Sequence, residues 1–110
     1  MDTQIRALID DILIEIRELG IEVSALVLFG SHSDGTATDG SDVDIAIISA
    51  SFHNLNSLHR RKQIKPALHR ISGRYHVPID LIFLTLEEYE RESSIRMSFI
   101  RNGVRIPVPL

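Results

Sequence analysis

The sequence predicts an α/β (α+β) domain, a small mixed β-sheet flanked by helices, on three observations. Apolar residues recur at helical spacing over residues 3–19 and again between 53 and 72. Short β-rich apolar runs fall at residues 23–29, 42–48 and 79–84. The resulting order α-β-β-α-β-α-(β), at 110 residues and without repeats or low-complexity stretches, describes one domain, 1–110, with its sheet covered on one side.

The first helix carries Ile5, Leu8, Ile9, Ile12, Ile16 and Leu19 on one stripe. Asp2 or Thr3 can cap its start, and Gly20 can end it in a left-handed conformation. Residues 23–29 are almost continuously apolar, as in a strand covered on both faces, and stop at Gly30. A polar loop follows, in which Asp34-Gly35 and Asp39-Gly40 favour turns with positive φ. Residues 42–48 form the next strand, where alternation puts Asp42, Asp44 and Ala46 on one face and Val43, Ile45 and Ile47 on the other.

The helix predicted over 53–72 is marked by Leu55, Leu58, Ile64, Leu68 and Ile71, should kink or divide at Pro66, and is closed by Gly73. Pro78 introduces the strand 79–84, whose one charged member is Asp80. Thr85 and Glu88 have the spacing of a capping box. Ile95, Met97 and Phe99 carry a further helical pattern towards Asn102-Gly103, and residues 104–106 can add a last strand before Pro107 and Pro109 end regular structure.

Composition narrows the chemistry. The absence of cysteine excludes disulfides, thiolate metal sites and cysteine nucleophiles, and fits a reducing compartment. No apolar run approaches the roughly 18 residues of a membrane span, and the N-terminus lacks a secretory signal, so the expected location is cytoplasmic with no membrane contact. Charge is asymmetric: residues 1–57 carry ten acids and two basic residues, residues 58–110 ten basic residues and five acids. The cluster Arg60, Arg61, Lys62, Lys65, Arg70 and Arg74 lacks interleaved aromatics, so it reads as a solvated helix face before an anion or acidic-partner contact, and no direct nucleic-acid binding is expected.

Gly30-Ser31, followed by Asp42-Val43-Asp44, is where chemistry concentrates. Glycine lets the backbone approach a phosphate, and successive amides with the Ser31 hydroxyl can bind its oxygens. Asp42, Asp44 and Asp80 are the charged residues inside predicted buried strands, and three converging carboxylates raise one another's pKa unless cations intervene. Magnesium suits them, since it takes hard oxygen ligands from one or two carboxylates and completes its shell with substrate phosphates. Two such ions would polarise an α-phosphate, stabilise leaving pyrophosphate and activate an attacking hydroxyl, which is nucleotidyl transfer. Asp42 and Asp44 are then bridging ligands, and Asp80 binds the metal on the nucleophile's side and is a candidate base.

Each piece alone has a plainer reading. Turns use Asp-x-Asp pairs freely, Thr36 stands where a P-loop requires lysine, and Asp34 to Asp42 lacks the ligand register of a calcium loop. Ser31 has no evident His and acid partners for a nucleophile's role. The five histidines lack metal-site spacing, although His32 lies in the phosphate loop and can donate to a phosphate, and packing is the default role of Tyr75 and Tyr89.

Leu28-Phe29-Gly30-Ser31, the ten-residue spacing, Asp42-Val43-Asp44 and Asp80 together resemble the minimal nucleotidyltransferase (MNT) family of the polymerase-β-like superfamily. The resemblance runs along essentially the whole chain. It implies the polymerase-β-like nucleotidyltransferase fold, ATP as donor and magnesium as cofactor, with Gly30, Ser31, Asp42 and Asp44 at the nucleotide. Many members of the family are antitoxins of HEPN ribonuclease toxins, which implies AMP transfer to a tyrosine hydroxyl of a HEPN toxin partner. The chain departs from the pattern at His32 and Asp34, where relatives often carry arginine. Two alternatives stay open: an antitoxin of the same fold that acts by contact alone, and transfer to a small molecule, which the short chain disfavours.

Overall fold

The computed structural model describes residues 2–108, so Pro109, expected to help end regular structure, lies outside the described residues. Five helices, α1 (Thr3–Glu18), α2 (Ser31–Asp34), α3 (Ser57–Arg74), α4 (Leu86–Arg91) and α5 (Ile95–Arg101), accompany four strands, β1 (Ala25–Phe29), β2 (Val43–Ile48), β3 (Ile79–Leu84) and β4 (Val104–Ile106). The strands form one sheet in the order β3-β2-β1-β4. β1 runs antiparallel to β2 and β4, whereas β2 and β3 are parallel across the α3 crossover, so the sheet is mixed as expected. No helix among the described residues is long and apolar enough to cross a membrane.

The sheet is covered on both faces, not on one. Leu26, Leu28, Ile45, Ile47 and Leu81 pack on one face against Leu8, Ile12 and Ile16 of α1 and Ile64 and Ile71 of α3. Val27, Phe29, Ala46, Ile48 and Ile82 pack on the other against Met97 and Ile100 of α5. The apolar character of β1 on both faces already demanded this second layer. α5 covers only part of that face, leaving the end where β2 and β3 begin open.

Local signals set the helix ends. The Asp2 carboxylate accepts from the amides of Gln4 at 2.7 Å and Ile5 at 3.3 Å, and Gly20 turns left-handed at φ 80°. Thr85 and Glu88 make the full capping box of α4. α3 differs from expectation: it starts at Ser57 behind an Asn56 cap, runs through Pro66 as one helix, and includes Gly73 before ending at Arg74. Pro66 faces solvent, where water can serve the carbonyl its ring deprives of a donor. Residues 50–52 form a separate 3₁₀ turn that buries Phe52 against the Phe83 ring, 5.6 Å between centroids.

The basic face of α3 is only partly a solvated one. Arg60 is buried, donating from Nη1 to the Phe83 carbonyl at 2.8 Å and to Glu88 Oε1 at 2.7 Å, with its guanidinium 5.8 Å from the centre of the Phe52 ring. Arg70 and Arg74 reach the buried carboxylate of Glu15 on α1 at 2.7 and 2.6 Å, and Arg74 also meets Asp11 at 3.4 Å. Tyr75 donates its hydroxyl to Asp11 at 2.5 Å, which fixes the end of α3 on α1.

Hydrogen bonds from Arg70 and then Arg74 hold the Glu15 carboxyl below the ordinary glutamate range. Its contribution to stability is therefore complete above the unfolded-state pKa and lost as pH falls through the lower folded-state value. Glu15→Gln should lower Tm at pH 7, and the gap to the parent should close in acid; differential scanning fluorimetry across pH checks both.

Candidate active site

β1 ends against β2 with Phe29 opposite Asp44, and the chain turns at Gly30 with φ 74°. A non-glycine residue adopts that conformation only under strain. Space imposes the same demand: a Cβ at position 30 would overlap Asp44 Oδ2 and stand 3.3 Å from its Cγ. Gly30 thus seats the Asp44 carboxylate against the backbone of the turn. Ser31 follows at once as the first residue of α2, a single turn whose Ser33 and Asp34 amides donate to the Gly30 carbonyl at 3.0 and 3.3 Å.

The parallel register of β2 and β3 sets Asp44 directly beside Asp80. Both share a face with Ala46, Ile48 and Ile82, the face that α5 covers further along. Asp42 belongs to the same alternation but lies one residue before β2 begins. The expectation of three acids inside buried strands is corrected here: Asp42 and Asp80 are exposed and Asp44 alone is half-buried. Edges explain it, because Asp42 precedes its strand and Asp80 is the second residue of an outer one.

Burial, and then the negative charges of Asp80 and Asp42, push the Asp44 carboxyl above its ordinary range, while His32 and Arg96 pull it partly back. Asp44 thus feels the charge of both neighbouring acids. Among the described residues no three carboxylate or histidine side chains stand close enough to be a ready-made metal cage. Such a half-built set fits magnesium, which takes one or two carboxylates and draws its remaining oxygens from phosphates and water.

The polar loop returns to β2 through defined contacts. His32 Nε2 stands 3.3 Å from the Ser41 carbonyl, tying α2 to the residue before Asp42. Asp34 is turned away into its own loop: its Oδ1 accepts from the Thr36 amide at 3.0 Å and hydroxyl at 2.5 Å, and these bonds hold its carboxyl low. Gly35 and Gly40 have φ of 82° and 87°, as the two Asp-Gly turns require.

Arg96 is the one residue at this site that the motif does not indicate. It precedes Met97, whose burial on the sheet fixes α5, and this brings its charge towards Asp44. In the sequence it is one arginine among many, without a spacing that links it to the acids. The basic residues of α3 do not take this role, because α3 packs on the opposite face.

The nucleotidyltransferase domain family matches residues 9–106. Among curated proteins, none matches the chain. Among solved structures, the fold is similar to a toxin-antitoxin crystallised with AMP-PNP, at TM-score 0.60 and 22% identity over 87% of this chain and 69% of that one. A mutant of the MntA-HpeT toxin-antitoxin aligns at TM-score 0.57 and 21% identity over the same shares. A candidate nucleotidyltransferase from Sulfolobus solfataricus aligns at TM-score 0.57 and 19% identity over 96% of this chain and 86% of that one. With its glycine turn, its paired strand acids and a family match over nearly all of its length, the chain belongs to the nucleotidyltransferase domain family.

Proposed function

We propose that this protein is a magnesium-dependent protein adenylyltransferase, a cytoplasmic antitoxin that moves AMP from ATP to a tyrosine hydroxyl of a partner HEPN toxin. The observation that carries the reading is the register of Asp44 beside Asp80, with Asp44 seated against Gly30. It gives a phosphate-binding turn and paired hard ligands in one place. The likeness to a toxin-antitoxin crystallised with AMP-PNP, an ATP analogue, supports both the donor and the pairing.

In the proposed reaction the acceptor oxygen bonds to the α-phosphorus, the bond from that phosphorus to the pyrophosphate oxygen breaks, and pyrophosphate leaves. Asp42 and Asp44 would hold magnesium on the nucleotide side, and Asp80 would hold it on the acceptor side and take the hydroxyl proton. Bound magnesium supplies charge neutralisation at the phosphates and a more acidic hydroxyl. Gly30 and Ser31 seat the triphosphate, and Arg96 adds positive charge at the same mouth. A second reading, an antitoxin that acts by contact alone, is favoured by the phosphate loop, where His32 and Asp34 are engaged with Ser41 and Thr36.

The double substitution Asp42→Asn with Asp44→Asn should lower AMP transfer from α-labelled ATP to a co-expressed HEPN partner by about a hundredfold or more. Transfer at the parental rate in that variant would contradict the mechanism, and intact mass of the partner reads it directly. A second outcome concerns stability. Because the folded-state pKa of Asp44 is raised, its ionised form costs stability at neutral pH, and the cost is relieved as pH falls through that value. Asp44→Asn should therefore raise Tm of the ligand-free protein at pH 7, with the gain fading in acid. Magnesium with ATP should raise Tm of the parent and not of the variant.

A further inference from the structure

The six basic residues of α3 divide into two sets. Among the described residues, Arg60, Arg70 and Arg74 form ion pairs, whereas no acid lies within ion-pair distance of Arg61, Lys62 or Lys65. The three unpaired cations are exposed and all line one groove of about 420 Å³ between α3 and β3. Asp80 lines the same groove. It is common to the groove and to the acid cluster, because it sits on the outer strand, whose edge away from β2 is free.

The groove also holds a stretch of unpaired backbone. Among the described residues β3 pairs with β2 alone, and the bonds Val43 N–H to Pro78 O and Ser49 N–H to Leu84 O, both 2.9 Å, turn the even-numbered groups of β3 towards β2. Alternation turns the N–H and C=O of Ile79, Leu81 and Phe83 outwards. Arg60 occupies the Phe83 carbonyl, which blocks one end of the edge as natural edge strands are often blocked. Ile79 and Leu81 remain, next to Asp80.

We propose that this groove binds an acidic, extended polypeptide segment of the acceptor protein and so delivers its hydroxyl to Asp80. The inference rests on the transferase reading above and names how the acceptor is recognised. Arg61, Lys62 and Lys65 meet the acidic side chains, the edge at Ile79 and Leu81 pairs with the segment's backbone, and Leu58, which is 59% exposed, covers apolar surface beside it. A free strand edge offers alternating donors and acceptors, which match a polypeptide backbone, whereas a nucleic-acid backbone presents only acceptors at its phosphates.

Three fluorescent peptides of equal length, each with a central tyrosine and acidic, neutral or basic flanks, test the proposal by anisotropy against the full chain without nucleotide. A single-stranded RNA serves as competitor. The acidic peptide should bind about tenfold tighter than the neutral one, and the preference should vanish in the triple variant Arg61→Glu, Lys62→Glu, Lys65→Glu. Arg105→Glu on β4, at the opposite edge of the sheet, should leave it intact. Equal affinities for the three peptides, retention of the preference in the triple variant, or displacement by RNA ahead of the acidic peptide would each overturn the proposal. Adding labelled ATP and magnesium separates the two readings. Charge-selective binding without AMP on the tyrosine leaves the groove standing and contradicts the transferase, whereas AMP transfer without charge preference overturns the groove alone.

Discussion

Position 30 cannot carry a side chain while Asp44 holds its place, because the carboxylate fills the volume that a Cβ would need. This contact between a strand's end and its neighbour's second residue orders much of the structure around it. It requires β1 and β2 to be antiparallel and adjacent, and it fixes the turn from which α2 springs. It also holds a carboxylate half out of water beside two others, an arrangement with an electrostatic cost that a cation and a phosphate would offset.

The rest of the fold supports that contact from behind. α1 and α3 brace the face opposite the acids, joined by Glu15, Arg70, Arg74 and the Tyr75 bond to Asp11. Arg60 then links α3 to the end of β3 and the start of α4. Burial alone works against the charge of Glu88, but the Thr85 amide and the Arg60 guanidinium outweigh it and keep its carboxyl low. The scaffold is thus tied together by ion pairs, with Arg60 Nε left buried and unpartnered among the described residues, while the site at its open end is left with excess negative charge.

The parts of this structure legible in the sequence were those governed by short periodicity. The α1 stripe, the capping box at Thr85 and the two Asp-Gly turns are each fixed by residues within a few positions. What depends on long-range packing was not legible. The apolar run of β1 called for a second layer but not for the helix that supplies it: Met97 and Ile100 dock on the far face of the sheet, and that docking turns the charge of Arg96 towards Asp44. Likewise the pairing of Asp44 with Asp80 required the parallel register, which spacing alone does not give. The basic cluster looked uniform as sequence; acids from α1 and α4, distant along the chain, divide it into structural and free halves.

On the proposed function, the acid cluster and the Gly30 turn form one site for a metal-nucleotide complex. Crystals grown with manganese and a non-hydrolysable ATP analogue test it most directly, since anomalous scattering locates the metal independently of the coordinates. Manganese should lie at the carboxylates of Asp42 and Asp44, with the triphosphate over Gly30 and Ser31. Manganese bound away from these acids, or a nucleotide seated elsewhere on the molecule, would contradict it.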